Sequence, residues 1–436
     1  MFLTTLRKYL AYKITLVAIF LLSASVGYSK QVLIPPQVAI PKTYFGLHIH
    51  RATPAKWPDV EFGSWRLHDA YVGWFSLQPA PMKWRFNLLD RYLKMARPAG
   101  VELLLPLAFP PRWASAKPDL KGPYQLGSSA PPKELIYWRD YVEKVAVRYK
   151  GQIREYELWN EASEPGFFSG TQEDLLALAQ EAYAVLKRVD PNNRLVSPSA
   201  VGTGGHLRWL AAYLEKGGSK FADIINYHFY VPKYPPEMML SRIHDVKVIL
   251  QRLGLQDMPL WNTETGWRIA NGDGTPENAA AVDHRWLKLN AEQAAAYVSR
   301  ALILGWAAGL ERFYWYAWDN QNMGLVEPSN NKLKPAGMAY KTVSKWLIGT
   351  KMKRCSEESS GLWECILERG VGEQARVIWS AKGKTGYCLP PTWAGGQAYY
   401  LDGKNSPVST ACIKVDQMPI MLVPAPNDDD ISSAEK

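Results

Sequence analysis

Cysteine is scarce and confined to the end of the chain: of 436 residues only Cys355, Cys365, Cys388 and Cys412 are cysteines. A thiol nucleophile is therefore excluded from the first three-quarters of the sequence. The spacings of ten and 24 residues match no zinc-ligand pattern such as CxxC. There is no HExxH pair either, so metal catalysis has no support and no cofactor is expected. Charge of one sign is limited: 51 Lys and Arg against 41 Asp and Glu leave a net +10, dispersed without basic runs. That argues against a nucleic-acid partner, while leaving a weak attraction to acidic polymers or a membrane surface. After the first 30 residues no apolar stretch is long enough to cross a bilayer, and no internal repeat appears. With 47% hydrophobic and 21% charged residues, a mainly disordered chain, a collagen-like repeat and a multi-span membrane protein are excluded. What is abundant is aromatic surface: 18 Trp, 23 Tyr and 12 Phe, suited to core packing or to stacking on a ligand.

Residues 1–29 read as a signal peptide or N-terminal anchor. A basic start (Arg7, Lys8, Lys13) precedes an apolar run over 14–26 and small residues, Gly27 and Ser29, where a peptidase would cut. The run is short for a span of ~20 residues. Leu6, Tyr9, Leu10 and Tyr12 extend it, so an uncleaved segment would act as a membrane anchor. The expected location is outside the cytoplasm: periplasmic, tethered to the inner membrane, or secreted. There the four cysteines would oxidise into one or two bridges, with Cys355–Cys365 and Cys388–Cys412 the expected pairing.

Residues 30–345 alternate short β-rich runs with helical patterns, the sign of a parallel sheet made of strand–helix units. Eight strands are expected at 44–50, 64–68, 101–107, 155–159, 195–197, 224–230, 260–263 and 312–318. Helices are expected at 88–96, 134–149, 172–189, 240–253 and 292–308. This predicts an α/β fold, a (β/α)8 TIM barrel with its site at the C-terminal ends of the strands. Residues 346–426 shift to short β-like pieces (361–367, 376–380, 397–401, 420–423) between Gly, Pro and Asn turns, which predicts a small β-sandwich. The segment 32–40 is expected to add a strand to the barrel, and the acidic tail 427–436 to fray.

The informative polar clusters fall at the ends of predicted strands. Strand four runs into Trp159, Asn160 and Glu161; strand seven runs through Asn262 and Thr263 into Glu264, Thr265, Gly266 and Trp267. Two carboxylates meeting over a barrel mouth is what glycoside hydrolysis needs: one acid protonates the leaving oxygen while the other attacks the anomeric carbon or activates water. His48 and His50 are two apart on one strand and share a face. With His228 they could build a metal site, although no carboxylate pattern supports one.

The motifs Trp159-Asn160-Glu161 and Asn262 to Trp267 resemble those of the clan A barrel glycosidases. Gly46 to Arg51, Trp65 to Asp69, Trp84 to Asp90 and Asn226 to Tyr230 are similar to glycoside hydrolase family 39. Within that family the likeness is to the exported Psl-type glycosidases encoded beside exopolysaccharide-synthesis genes. The resemblance covers about residues 44–345. It implies that Glu161 is the acid/base and Glu264 the nucleophile of a retaining reaction. It further implies that Asn160 binds the sugar 2-hydroxyl, that Arg66 and Tyr230 hold Glu264 ionised, and that His228 and His50 lie near acid/base or sugar. Trp318, which with Trp315 ends strand eight, would be a stacking platform; Trp113 and Trp267, which follow strands three and seven, are expected to line the cleft, with packing the alternative for each. The long stretches 109–132 and 268–278 would shape that cleft. Many clan members carry Pro after the acid/base, whereas this chain has Ala162 and reaches Pro165 later. That weakens any transfer of xylosidase or iduronidase preference.

The resulting expectation is an exported retaining glycosidase that cleaves within a bacterial exopolysaccharide, with the polysaccharide as substrate and the synthesis machinery as a partner. Transglycosylation on the same intermediate is a variant of it. The rival is a non-catalytic carbohydrate-binding or polymer-assembly protein that keeps the barrel. The C-terminal domain is expected to pack against the barrel rather than to bind sugar.

Overall fold

The computed structural model describes residues 31–425 except 54, 55, 282, 371 and 394; the expected signal or anchor segment 1–29 and the acidic tail 427–436 lie outside the described residues. Eight parallel strands form the barrel: β1 (Phe45–His48), β2 (Ser64–Arg66), β3 (Glu102–Leu107), β4 (Glu155–Leu158), β5 (Arg194–Val196), β6 (Ile225–Asn226), β7 (Leu260–Thr265) and β8 (Arg312–Trp315). They pair in barrel order, and a parallel bridge between Val196 and Ile224 closes the ring. Among the described residues seven helices of ten residues or more cover the outside: α1 (Asn87–Ala96), α2 (Leu135–Arg148), α3 (Gln172–Val189), α4 (Gly205–Glu215), α5 (Met238–Arg252), α6 (Ala291–Ala307) and α7 (Pro335–Leu347). The link from β1 to β2 carries no helix. Among the described residues no helix is long and apolar enough to cross a membrane.

Strand alternation decides what fills the barrel. Side chains two apart point inward together, so the interior is built in layers. Leu104, Val196, Ile224, Trp261 and Tyr314 form one closed apolar layer. The Tyr314 ring lies so close to β1 that a Cβ at position 46 would sit 2.5 Å from its Cδ1, and only Gly46 leaves that room. One step toward the C-terminal ends, the inward residues turn polar: His48, Arg66, Glu157, Asn226 and Thr263, all fully buried. The apolar layer is the floor on which this polar layer stands.

Helix starts follow local chemistry. Thr171 and Asp174 form a reciprocal capping box at α3, as Asn290 and Gln293 do at α6. From Ala294 to Ala307, α6 is buried on every face, because the barrel lies on one side and α7 and the C-terminal sheet on the other.

That sheet has seven antiparallel strands in the order Gln31–Leu33, Lys351–Glu357, Leu362–Glu368, Gln374–Ser380, Ile420–Val423, Gln397–Tyr399 and Asn405–Pro407; a hairpin of Thr385–Cys388 with Cys412–Val415 lies beside it. The disulfides Cys355–Cys365 and Cys388–Cys412 each join neighbouring strands. Alternation again separates two faces. Trp363, Cys365, Val377 and Trp379 join the barrel core, while Leu362, Ile378, Tyr387, Trp393 and Leu422 close a small sandwich core.

Three expectations are corrected. The segment near residue 32 joins the C-terminal sheet, pairing with Lys351–Glu357, because a closed barrel offers no free edge. The sixth strand is only Ile225–Asn226: after Tyr227, whose N–H still donates to the Trp261 carbonyl, the chain leaves the ladder for the barrel mouth, where the His228 N–H donates to the Ala200 carbonyl. The polar strand Lys351–Glu357 and the helices α4 and α7 are additional elements.

Trp379 stacks on Trp363 with ring centroids 5.4 Å apart, and its indole N–H donates to Glu237 next to α5. Because its core is continuous with the barrel's, Trp379→Ala is expected to lower stability by about 3–5 kcal/mol in one cooperative urea transition. An early separate transition of the β-domain would show that the two cores are independent.

Candidate active site

The polar layer converges on Arg66. Its Nε and Nη2 donate to the two oxygens of Glu157 at 2.5 and 2.9 Å, Nη1 donates to Glu264 Oε2 at 2.8 Å, and Nη2 also reaches Asn160 Oδ1 at 2.7 Å. Burial opposes a charge here, but the carboxylates of Glu157 and Glu264 more than offset it and hold the guanidinium firmly protonated. Glu264 accepts a second bond from the Tyr230 hydroxyl at 2.9 Å. Asn160 uses its oxygen on Arg66, which turns its amide NH2 to the mouth.

Glu161 arrives on a bent loop. Trp159 and Glu161 both have left-handed backbones, with φ of 58° and 45°, conformations that cost non-glycine residues energy and persist where surroundings impose them. Ser199 imposes this one: its Oγ accepts from the Glu161 N–H at 2.8 Å and its carbonyl from the Ala162 N–H at 2.9 Å. The Trp159 indole is fixed to the Phe167 carbonyl. Ala162 therefore fills the place after the acid with a bonded N–H that proline would lack.

The hydrogen positions around His228 follow from its neighbours. Asn226 Nδ2 donates to Glu157 Oε1 at 2.8 Å, so Asn226 Oδ1 receives the Thr263 hydroxyl, also at 2.8 Å. With its proton so used, Thr263 Oγ1 accepts from His228 Nε2 at 3.1 Å. Burial, with the Arg66 charge adding to it, pushes the His228 pKa far down and keeps the ring neutral. Its Nδ1 is then a lone pair, 3.0 Å from Glu161 Oε1. That contact is a hydrogen bond only if Glu161 carries a proton.

Electrostatics agree. Burial, followed by the Glu264 charge, raises Glu161 well above the carboxylate range. Burial raises Glu264 to about 7, against the Arg66 charge and the bonds from Tyr230 and Arg66. The two carboxyls are thus separated in role, Glu161 as the acid and Glu264 as the group that ionises first. One donor atom each of Glu161, His228 and Glu264 lie within 4.8 Å of one another. A retaining pair is about 5–5.5 Å apart, and an inverting pair about 6.5–9.5 Å. The same three atoms could ligate a cation, although both Glu264 oxygens already accept hydrogen bonds, from Arg66 and Tyr230.

The remaining expected residues divide. His48 lies inside the barrel, donating from Nε2 to the Thr263 carbonyl at 2.9 Å. His50 lies at the mouth, 3.9 Å from Asp69. Trp318 follows β8 but is only 4% exposed, so its ring is largely covered by packing and offers little open platform. Trp315 and Trp267 are wholly buried and stack on each other at 5.8 Å; they brace strand ends and do not line the cleft. Trp113 is half-buried at a neighbouring groove. Of the two long stretches, 109–132 delivers Tyr124 to the mouth, whereas 268–278 is held by Glu327, which accepts from the N–H groups of Gly272 and Asp273. Sequence reasoning missed Glu157, Ser199, Asn226, Thr263, Asp69 and Tyr316. Glu157 carried only a weak signal, because Glu155 two positions before it on the same short strand is also a carboxylate and pairs instead with Arg194.

No family model and no curated protein sequence matches the chain. Its structure is similar to that of a family 39 glycoside hydrolase from the gut symbiont Bacteroides cellulosilyticus WH2, with TM-score 0.69 and 17% identity over 88% of this chain and 81% of that one. A monomeric β-xylosidase from Caulobacter crescentus CB15 gives 0.63 and 15% over 90% and 98%. The catalytic domain of the GH30 xylanase C from Talaromyces cellulolyticus gives 0.59 and 12% over 91% and 100%. The fold is thus the (β/α)8 barrel with a β-sandwich that these glycoside hydrolases share.

Replacing Glu157 by Gln removes one of two counter-charges from a buried guanidinium. A loss of about 3 kcal/mol is expected, read by urea unfolding; a loss below about 1 kcal/mol would mean that Glu264 alone neutralises Arg66.

Proposed function

We propose that this protein is a retaining O-glycosyl hydrolase that cuts within a bacterial exopolysaccharide. The observation that carries the reading is the pair Glu161 and Glu264, with oxygens within 4.8 Å and with unlike protonation imposed by Arg66 and His228. Glu264, ionised and aimed by Arg66 and Tyr230, attacks the anomeric carbon as Glu161 gives its proton to the leaving oxygen. Glu161, now a carboxylate, takes a proton from the water that releases the glycosyl group from Glu264. The Asn160 amide is free to bond the sugar 2-hydroxyl, a contact that strengthens as charge develops at the anomeric carbon. The likeness to solved glycosidases supports the chemistry. The polymer, the internal cleavage and the link to exopolysaccharide synthesis rest on the motif resemblance. Two disulfides support an oxidising compartment, in keeping with export through the N-terminal segment, either cleaved or kept as an anchor.

The test is reducing-end release from the purified exopolysaccharide of the source organism, with product sizes read by mass spectrometry. The wild type is expected to yield an oligosaccharide ladder, Glu264→Gln to lose at least about 10³-fold in rate, and Glu161→Gln to be rescued on substrates whose leaving group needs no proton. Binding that survives both changes, with no release by the wild type, would replace this reading with a binding or assembly role.

A further inference from the structure

One half-buried carboxylate beside the reacting pair has no part in the mechanism above. Asp69 follows β2 in a left-handed conformation, φ 58°. Its Oδ1 accepts from the Tyr124 hydroxyl and its Oδ2 from the Tyr316 hydroxyl at 2.7 Å, with His68 at 3.7 Å and His50 at 3.9 Å. Its side chain is 24% exposed, and that surface faces a cavity of about 240 Å³ lined by His50, His68, Tyr71, Phe75, Phe109 and Tyr124. This is below the roughly 300–1,000 Å³ of drug-sized sites and suits a single sugar ring between aromatic walls.

Barrel topology gives the cavity a direction. Glu161, Ser199 and His228 occupy the mouth on the β4 to β6 side; His50, Asp69 and Tyr316 occupy the β8, β1 and β2 side, with Glu264 on β7 between. A leaving group protonated by Glu161 lies toward the first side, so the sugar that becomes attached to Glu264 lies toward the second. The lining contains no Lys or Arg. Arg66 is engaged by Glu157, and Arg51 turns to Asp319. The cavity therefore presents the Asp69 carboxylate with no permanently charged cation beside it.

Resting on the glycosidase reading, we propose that Asp69 determines specificity: its carboxylate, held by Tyr124 and Tyr316, accepts hydrogen bonds from adjacent hydroxyls of a neutral sugar and excludes a uronic acid. A substrate carboxylate in this cavity would meet a like charge with no Lys or Arg to offset it, and like charges brought together out of water are strongly disfavoured.

The test is covalent trapping with 2-deoxy-2-fluoroglycosyl fluorides of gluco, galacto and manno configuration and of the matching uronic acids, read as intact mass and mapped to Glu264. At least one neutral probe should label at least about tenfold faster than its uronic counterpart, tenfold being 1.4 kcal/mol. Asp69→Asn, which keeps the shape and removes the charge, should shrink that ratio at least about tenfold with an unchanged melting temperature. Tyr124→Phe, which keeps the charge, should preserve the rejection of uronic probes. Equal labelling by neutral and uronic probes, or a ratio unmoved in Asp69→Asn, overturns the role of Asp69 while leaving the glycosidase reading intact. Absence of label from every probe in a protein that still releases oligosaccharides from the polymer overturns the inference alone, since the cavity then holds no neutral sugar by itself; absence of both label and release overturns the glycosidase reading and the inference with it.

Discussion

The guanidinium of Arg66, buried in the barrel and bonded at once to Glu157, Glu264 and Asn160, is the interaction on which the rest of the site depends. A charge at that depth is tolerable only with compensating carboxylates, and Glu157 supplies one that is fully buried and unavailable for chemistry. The second, Glu264, is thereby kept the more acidic of the two mouth carboxyls. Asn160 is oriented by the same group, and the chain Glu157, Asn226, Thr263, His228 carries the orientation on to Glu161. Fixed dipoles of this kind need no reorganisation as charge develops, which is the physical basis of electrostatic catalysis.

The architecture serves that network in layers. An apolar floor of Leu104, Val196, Ile224, Trp261 and Tyr314 closes the barrel beneath it and keeps it dry. Above, the loops after the strands bring Glu161, Tyr124 and Asp69 over the mouth. The C-terminal sheet takes its first strand from residues ahead of the barrel and shares a core with α6 and α7, so the barrel is clasped by both ends of the described chain.

Legibility in the sequence followed locality. The eight strands and the two Glu motifs were readable because strand periodicity and strand-end polar clusters are local features, and the motif resemblance added roles for Arg66, Tyr230 and His228. What was not readable depends on partners far apart in the chain. Ser199 matters only because it meets Glu161 across two strand ends, and Asp69 only because Tyr124 and Tyr316 reach it from loops 55 and 247 residues away. The aromatic residues misled for the same reason. Trp267 and Trp318 stand where a ligand-facing Trp would stand, and long-range packing covers them. The strand Lys351–Glu357 hid behind its charges because only Met352 and Cys355, three positions apart across a register shift, enter the hydrophobic core.

The central claim, that the fold keeps Glu161 protonated while Glu264 ionises, is tested most directly by carbon-13 NMR titration of the glutamate carboxyls in the free protein. Signals are assigned by their loss in Glu161→Gln and Glu264→Gln. The account predicts two strongly shifted resonances, with the one absent from Glu264→Gln losing its proton at the lower pH. Ionisation of Glu161 first, or both carboxyls titrating in the ordinary carboxylate range, would contradict it.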